Sequence, residues 1–253
     1  MSALLTTWWG HALLTAVGLA VWILASALLY RVFFKRFYDV LLSGLAILVL
    51  SPLLLALTVL GAIKMRGNPF FTQLRPGKGE RIFRLVKFRS MTSERDAEGN
   101  LLPDDRRLTR YGRLLRATSL DELPELFNIF VGQMSIVGPR PQLVRDMVFM
   151  TERQRDRHRV RPGLTGLAQI SGRNAIDWDK KFEYDLEYIE RITLFGDIAI
   201  LVRTVFKVLR RADTVREGTV SDLDLGDWLM AHGGVGAEEY EEKQAEAKEL
   251  LRR

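Results

Sequence analysis

The second of two long apolar runs constrains this chain most. It extends from Leu41 to Ile63, is interrupted at Ser51-Pro52, and lies between Lys35-Arg36 on one side and Lys64 and Arg66 on the other. About 20 mostly apolar residues suffice to cross a bilayer, so the run is long enough. Its middle is the difficulty. Proline has no backbone N–H and clashes with the preceding turn, so Pro52 kinks any helix it occupies. Ser51 offers a hydroxyl to a backbone group set free, as an apolar environment demands. Basic residues at both ends are accommodated most simply if both ends stay in the cytoplasm. Two arrangements satisfy these demands: a re-entrant helix-break-helix that enters and leaves one leaflet, and a proline-kinked helix that spans. The residues alone leave both open.

The first run, residues 8–30, carries one ionisable side chain, His11, and has Trp8, Trp9 and Tyr30 near its ends, where interfacial aromatic residues belong. No Lys or Arg precedes it, which argues against a cleaved signal peptide. Arg31, Lys35 and Arg36 follow it and assign that end to the cytoplasmic side. Beyond residue 63 the sequence reads as a soluble protein with room for one compact core. Its net charge of +6 suits an anionic lipid surface, a nucleotide or a nucleic acid without choosing among them. The absence of cysteine excludes disulfides and cysteine-ligated zinc. His11, His158 and His232 have no metal-ligand spacing.

Periodicity sketches the rest as mixed α/β and mostly helical. Phe70 to Gln73 and Arg81 to Met91 read as strands about an Arg75-Pro76-Gly77 turn, and the polar residues 93–105 as a loop. Helical spacing marks Leu108 to Leu115, Leu123 to Phe130, and Gln142 to Arg157. The glycine-rich residues 161–174 read as a loop with room for a short strand. Residues 196–211 form a basic amphipathic helix, with Ile198, Leu201, Val202, Val205, Phe206 and Leu209 on one face. Such a helix can lie among lipid headgroups; spacing alone somewhat favours a core-facing helix with a solvated back. Glu238 to Arg253 reads as a solvated helix with little catalytic role.

The chemistry centres on Ser119-Leu120-Asp121-Glu122, followed by Gly138-Pro139-Arg140-Pro141. The bland account is a capping box, in which Ser119 and Glu122 satisfy backbone N–H groups at a helix start. The functional account has an ionised carboxylate at that start, usable as a nucleophile toward phosphorus. A helix start also attracts phosphate. Two anions must then meet, so cations are needed: Lys87, Arg89, Arg116, Arg140 and Arg173 are candidates, and a divalent metal would add to them. Prolines on both sides restrict Arg140; each of the other basic residues, taken singly, reads more simply as a solvated surface charge. No P-loop, GxGxxG or GxSxG pattern is present. Asp104-Asp105 alone is a weak metal site.

Taken together, these blocks resemble the monotopic phosphoglycosyl transferases of the bacterial sugar transferase family, especially its short, single-domain members. The resemblance covers roughly residues 34–218. It rests on Lys35-Arg36-Phe37-Tyr38-Asp39, Ser51-Pro52, Phe71 to Gly77, Lys87 to Met91, Leu101 to Asp105, Ser119 to Pro124, Gly138 to Pro141, Arg161 to Gly166 and Gly172-Arg173-Asn174, all in the family's order. It implies a re-entrant membrane helix broken at Ser51-Pro52 and a catalytic domain on the cytoplasmic face of the bacterial inner membrane. It also implies transfer of a sugar phosphate from a UDP-sugar to polyprenol phosphate with Mg2+. Asp121 would be the nucleophile and the metal ligand, and Glu122 its partner. Lys87, Arg116, Arg140 and Arg173 would hold phosphates or the uridine end.

The organisation expected is a hydrophobic segment 1–33 acting as an extra membrane anchor, a re-entrant helix 34–66, a catalytic domain 67–218 and a charged extension 219–253. Residues 8–30 precede the family's core, and the tail beyond about 219 has no placed counterpart. The partners expected are the UDP-sugar, polyprenol phosphate and membrane lipid; a homodimer is compatible with the sequence. A catalytically silent scaffold for glycan assembly is disfavoured by the intact Asp121-Glu122 pair. A nucleic-acid binder is disfavoured because no interleaved aromatic and basic stacking surface is visible.

Overall fold

The computed structural model describes residues 7–172, 177–209 and 223–252. The chain is mixed α/β and mostly helical. It opens with α1 (Trp8–Leu29), a π-helical segment (Tyr30–Phe34) and α2 (Lys35–Lys64). A hairpin of β1 (Phe70–Pro76) and β2 (Ile82–Phe88) follows, then α3 (Asp104–Arg107), α4 (Arg110–Ala117), a 3-10 turn (Leu120–Glu122) and α5 (Glu125–Phe130). Next come β3 (Ser135–Val137), α6 (Val144–Met147), α7 (Glu152–Arg155), β4 (Gly163–Thr165) and α8 (Leu167–Ser171). The chain closes with α9 (Trp178–Glu190), α10 (Leu194–Leu209), α11 (Leu225–Ala231) and α12 (Ala237–Leu250).

Residues Trp8–Lys64 are long and apolar enough to cross a membrane. They are not straight. Tyr38 Oη lies 2.9 Å from Ser26 Oγ and receives Trp22 Nε1–H at 3.1 Å. Twelve residues along a straight helix span about 18 Å, so the chain bends sharply about the π segment. Within α2 the helix runs through Pro52, where a break between two helices was expected. Pro52 cannot donate to the carbonyl of Leu48, four residues back, and Ser51 Oγ donates to that oxygen instead, at 2.8 Å.

Polar residues weld the start of α2 to the core. Arg36 donates to the carbonyls of Ile129 and Phe130 at 2.6 and 2.8 Å, closing the C-terminal end of α5. Asp39 accepts the Ile136 N–H of β3 at 2.9 Å. Lys35 Nζ reaches the Val137 carbonyl at 2.9 Å and Asp197 on α10 at 2.5 Å, and Asp197 also receives the hydroxyls of Tyr30 and Tyr188. The Lys-Arg-x-x-Asp block is therefore a joint between membrane helix and sheet.

The hairpin pairs antiparallel from Phe70↔Phe88 to Pro76↔Ile82. Its turn falls beyond the expected Arg75-Pro76-Gly77, at residues 77–81, with Gly79 and Glu80 at positive φ. Side chains alternate along a strand, so Lys87 shares a face with buried Phe83 and Leu85. Phe88 points the other way, into a cluster with Leu54, Leu57 and Leu115 beneath α2. β3 and β4 pair in parallel. Here the backbones lock together: a Cβ on Gly163 would lie 2.1 Å from Gly138 N, and one on Gly166 2.1 Å from Gly138 O. Glycine is required because the neighbouring backbone occupies the side-chain space.

Several expectations need correction. Residues 142–157 are not one helix: Asp146 draws back the Leu143 N–H, and Thr151 with Gln154 forms a capping box that starts α7 afresh. The loop 93–105 ends in the short helix α3, and the glycine-rich stretch holds both β4 and α8. The apolar face of α10 points outward, with Ile198, Val202, Val205 and Phe206 exposed, whereas Ile200 and Asp197 face the core. Helix α12 is solvated along most of its length, as expected, and docks through Ala247 against Val144, Met147 and Val148. The expected boundary at 218/219 and residues 210–211 lie outside the described residues.

Candidate active site

Five pieces of backbone bring charge to one place. β2 presents Lys87, the turn 120–122 presents Asp121 and Glu122, and α5 opens with Glu125. The segment after β3 carries Arg140, and α4 carries Arg116. The approach of α4 depends on Gly112, where a Cβ would fall 1.8 Å from the Ser90 carbonyl oxygen. That contact sets Arg116 Nε 3.0 Å from Ser90 Oγ.

The capping box does not form. Ser119 sits at φ 55 and makes no side-chain capping bond. Glu122 Oε1 instead accepts Lys87 Nζ at 2.9 Å and Arg140 Nη2 at 2.7 Å. Two charge-assisted bonds outweigh one backbone N–H, which is why the carboxylate turns inward. Burial pushes the Glu122 carboxyl up, but the charges of Arg140 and Lys87 prevail and hold it well below the usual carboxylate range. In return, Glu122 raises Arg140 against the opposing effect of burial. Burial lowers Lys87, and Glu122 together with Glu125 and Asp121 more than offsets it, so both cations stay charged.

Asp121 is different. Its carboxylate makes no hydrogen bond or ion pair among the described residues. Burial pushes its pKa up and Glu122 adds to this, with Lys87, Arg116 and Arg140 opposing. The sequence reading expected the positive end of a helix to keep Asp121 ionised; the structure sets it in a 3-10 turn before the six-residue α5, where the neighbouring cations oppose the upward push of burial and Glu122 without reversing it. Adjacent in sequence, the two carboxylates thus separate into one held and one free.

Of the expected phosphate-binding residues, Lys87, Arg116 and Arg140 are brought around this pair. Arg89 is not: it turns to the Met91 carbonyl and Ser93. Arg173 lies outside the described residues. Asp104 is paired with Arg107.

Sequence reasoning missed the supports. Glu125, almost fully buried, lies 3.1 Å from Lys87 Nζ, and burial pushes its carboxyl up to about 7. Its i, i+3 spacing from Glu122 was the available signal. The Arg140 turn is held through its backbone. Arg157 donates to the Arg140 carbonyl at 2.6 Å while buried against Asp185, and Arg75 donates to the Pro141 carbonyl at 3.1 Å. The Gly163 N–H reaches Pro139 O at 2.9 Å. No local pattern announces these long-range contacts.

As to metal, no three His, Cys, Asp or Glu side chains converge among the described residues. Mg2+ commonly takes only one or two carboxylates and fills its shell with substrate phosphates and water. The uncommitted Asp121 carboxylate fits that requirement.

A family model described as bacterial sugar transferase matches residues 30–211. An uncharacterized sugar transferase, EpsL, of Bacillus subtilis is 48% identical over 175 residues, 69% of this chain and 87% of that protein. A UDP-glucose:undecaprenyl-phosphate glucose-1-phosphate transferase of Klebsiella pneumoniae is 40% identical, over 69% of this chain but 40% of its own length. A UDP-N-acetylgalactosamine-undecaprenyl-phosphate N-acetylgalactosaminephosphotransferase of Aeromonas hydrophila is 39% identical, over 70% of this chain and 44% of its own. Against those two the chain spans less than half of the relative. The match runs from the π segment through α10 and takes in every charged group gathered around Asp121, and on that basis the chain belongs to the bacterial sugar transferase family.

Proposed function

We propose that the chain transfers a sugar 1-phosphate from a UDP-sugar to a membrane polyprenol phosphate, releasing UMP, through a covalent intermediate on Asp121. The observation that carries this reading is the inequality of the two carboxylates. A nucleophile needs a free lone pair and proximity to cations; Asp121 has both. Glu122 commits its Oε1 to both Lys87 and Arg140 and serves to fix them in place.

In the first step an Asp121 carboxylate oxygen attacks the sugar-linked phosphorus. An acyl-phosphate bond forms, the diphosphate P–O bond breaks, and UMP leaves with that electron pair. A polyprenol phosphate oxygen then attacks the same phosphorus, and the acyl-phosphate bond breaks to restore Asp121. The product is a polyprenol-diphosphate-sugar. Lys87, Arg116 and Arg140 stabilise the charge gathered on the phosphoryl oxygens. Their three charges are largely offset by Asp121, Glu122 and, above about pH 7, Glu125, so an incoming diphosphate needs further positive charge. Mg2+ held at Asp121 would supply it.

The location follows from the same parts. Residues Trp8–Lys64 give a membrane attachment; we assign it to the bacterial inner membrane, with the site on the cytoplasmic face. Lys35-Arg36 and Lys64 at the two ends of α2 favour re-entry, and a kink at Pro52 in the bilayer would allow both ends to return to one face. Helix α1 would be an additional anchor, and the exposed apolar residues of α10 would rest in the headgroup layer. Cysteine labelling in this cysteine-free chain tests the topology: a probe near residue 52 that reacts only from outside the cell contradicts re-entry.

The activity is tested by UMP release from a panel of UDP-sugars with Mg2+ and polyprenol phosphate. Wild type is expected to release UMP and to place sugar in the lipid fraction; Asp121→Asn is expected to do neither. Full activity in Asp121→Asn would remove the nucleophile from the scheme.

A further inference from the structure

The C-terminal segment lies beyond the residues matched by the family model, yet it is docked beside the Arg140 turn. Leu225 joins Met150, Trp178 and Phe182 in one buried cluster, and Ala247 joins Val144, Met147 and Val148 in another. Trp178 Nε1–H donates to the Leu223 carbonyl at 3.2 Å, and Arg145 pairs with Asp224. The fit is close: a Cβ on Gly226 would lie 2.5 Å from the ring of Phe149.

At the centre of this junction is Asp146, 1% exposed. One carboxylate oxygen accepts the Leu143 N–H, three residues past Arg140, at 3.0 Å; the other accepts the Leu225 N–H of α11, also at 3.0 Å. Arg75, whose charge acts on Asp146, donates to the Pro141 carbonyl. A buried carboxylate with both oxygens committed has little freedom to reorient, because each unmade bond leaves a buried charge unpaired. A continuous set of contacts therefore joins the tail, Asp146, Leu143 and Arg75, and the turn that carries Arg140.

We propose that residues 223–252 are a positioning segment for the Arg140 turn, with Asp146 the positioning residue through which they act. This rests on the reading of Arg140 as a diphosphate-binding group. Among the described residues no hydrogen bond or ion pair links the tail to the groups around Asp121, so its effect is on where Arg140 stands when the nucleotide sugar arrives. Loosening it weakens the grip of Arg140 on the diphosphate in both the bound and the reacting state, so kcat/KM for the UDP-sugar falls while the Asp121 nucleophile itself stays in place. The sequence outside the family match thereby tunes the site inside it.

The test uses the full chain with Gly226→Leu, which drives a side chain into Phe149, and the paired variant Phe149→Ala/Gly226→Leu, which makes room for it. Asp146→Asn, which keeps one acceptor oxygen where two are needed, is the second probe. Hydrogen–deuterium exchange is read over residues 138–147, together with KM and kcat for UMP release. Gly226→Leu and Asp146→Asn are expected to speed exchange there and to lower kcat/KM on the order of tenfold. The paired variant is expected to restore both readouts. Unchanged exchange in both single variants overturns the proposal, as does faster exchange with kcat/KM unmoved. If wild type releases no UMP from any UDP-sugar, the transferase reading fails instead, and exchange alone then decides whether the tail braces the turn.

Discussion

The site has two walls, and they are built in opposite ways. The hairpin wall, formed by β2, the 120–122 turn and α5, keeps its charges close together: Lys87, Glu122 and Glu125 satisfy one another within 3.1 Å. The turn wall contributes a single charged group, Arg140. That residue is placed from its backbone by distant parts of the chain: Arg75, Arg157 with Asp185, and the locked glycines 138, 163 and 166. The hairpin wall is thus specified by charge, the turn wall by packing. Substitutions in the first should alter chemistry with little effect on folding, whereas those in the second should act on the fold first.

The largest effect is expected at Gly163→Ala. Its Cβ has backbone on three sides, so the β3–β4 contact must part, at a cost of about 4 kcal/mol or more. A lowered thermal midpoint with loss of activity checks it; a stable, active variant would show that the turn wall is not held by packing. Next is Arg157→Met. It leaves Asp185 buried without its partner and frees the Arg140 carbonyl, and breaking such a pair costs about 3–5 kcal/mol. Denaturant unfolding measures it, and the loss should shrink in Arg157→Met/Asp185→Leu.

On the other wall, Glu122→Gln should fold normally and lose about 100-fold or more in kcat, because Lys87 and Arg140 lose the charge that fixes them. A fall in stability with no change in kcat would reverse the comparison. The smallest effect is expected at Glu125→Gln. The Glu125 carboxyl is pushed up to about 7, so in wild type it is protonated below that pH and charged above it. As pH rises through 7 it takes a share of Lys87 away from Glu122. The pH–rate profile should therefore show an inflection near 7 in wild type that Glu125→Gln lacks.

The same division explains what the sequence could disclose. The hairpin wall was partly legible because Asp121 and Glu122 are adjacent and can be named from type and spacing, whereas Lys87 was one candidate among several basic residues. Even so, local reasoning assigned Glu122 to a capping box, since the competing cations come from β2 and from Arg140, remote in sequence. The Arg140 turn was recognisable from its prolines, but nothing near it indicates Arg157, Asp185 or Asp146. Helices α9 and α11 were not foreseen, and the single helix expected over 142–157 failed because Asp146 and Thr151 impose local starts on the backbone. The membrane segment was the easiest part to find. Its joint to the core was hidden in the Lys35-Arg36-Phe37-Tyr38-Asp39 block, whose partners lie about a hundred residues away or more.

The central claim is that Asp121, the uncommitted carboxylate, is the nucleophile. The most direct test is intact-protein mass after mixing with Mg2+ and UDP-sugars in the absence of polyprenol phosphate. The account predicts a mass gain of one sugar phosphate with stoichiometric UMP in wild type and no gain in Asp121→Asn. UMP release that requires polyprenol phosphate, with no adduct on the protein, would contradict it and point to direct transfer between the two substrates.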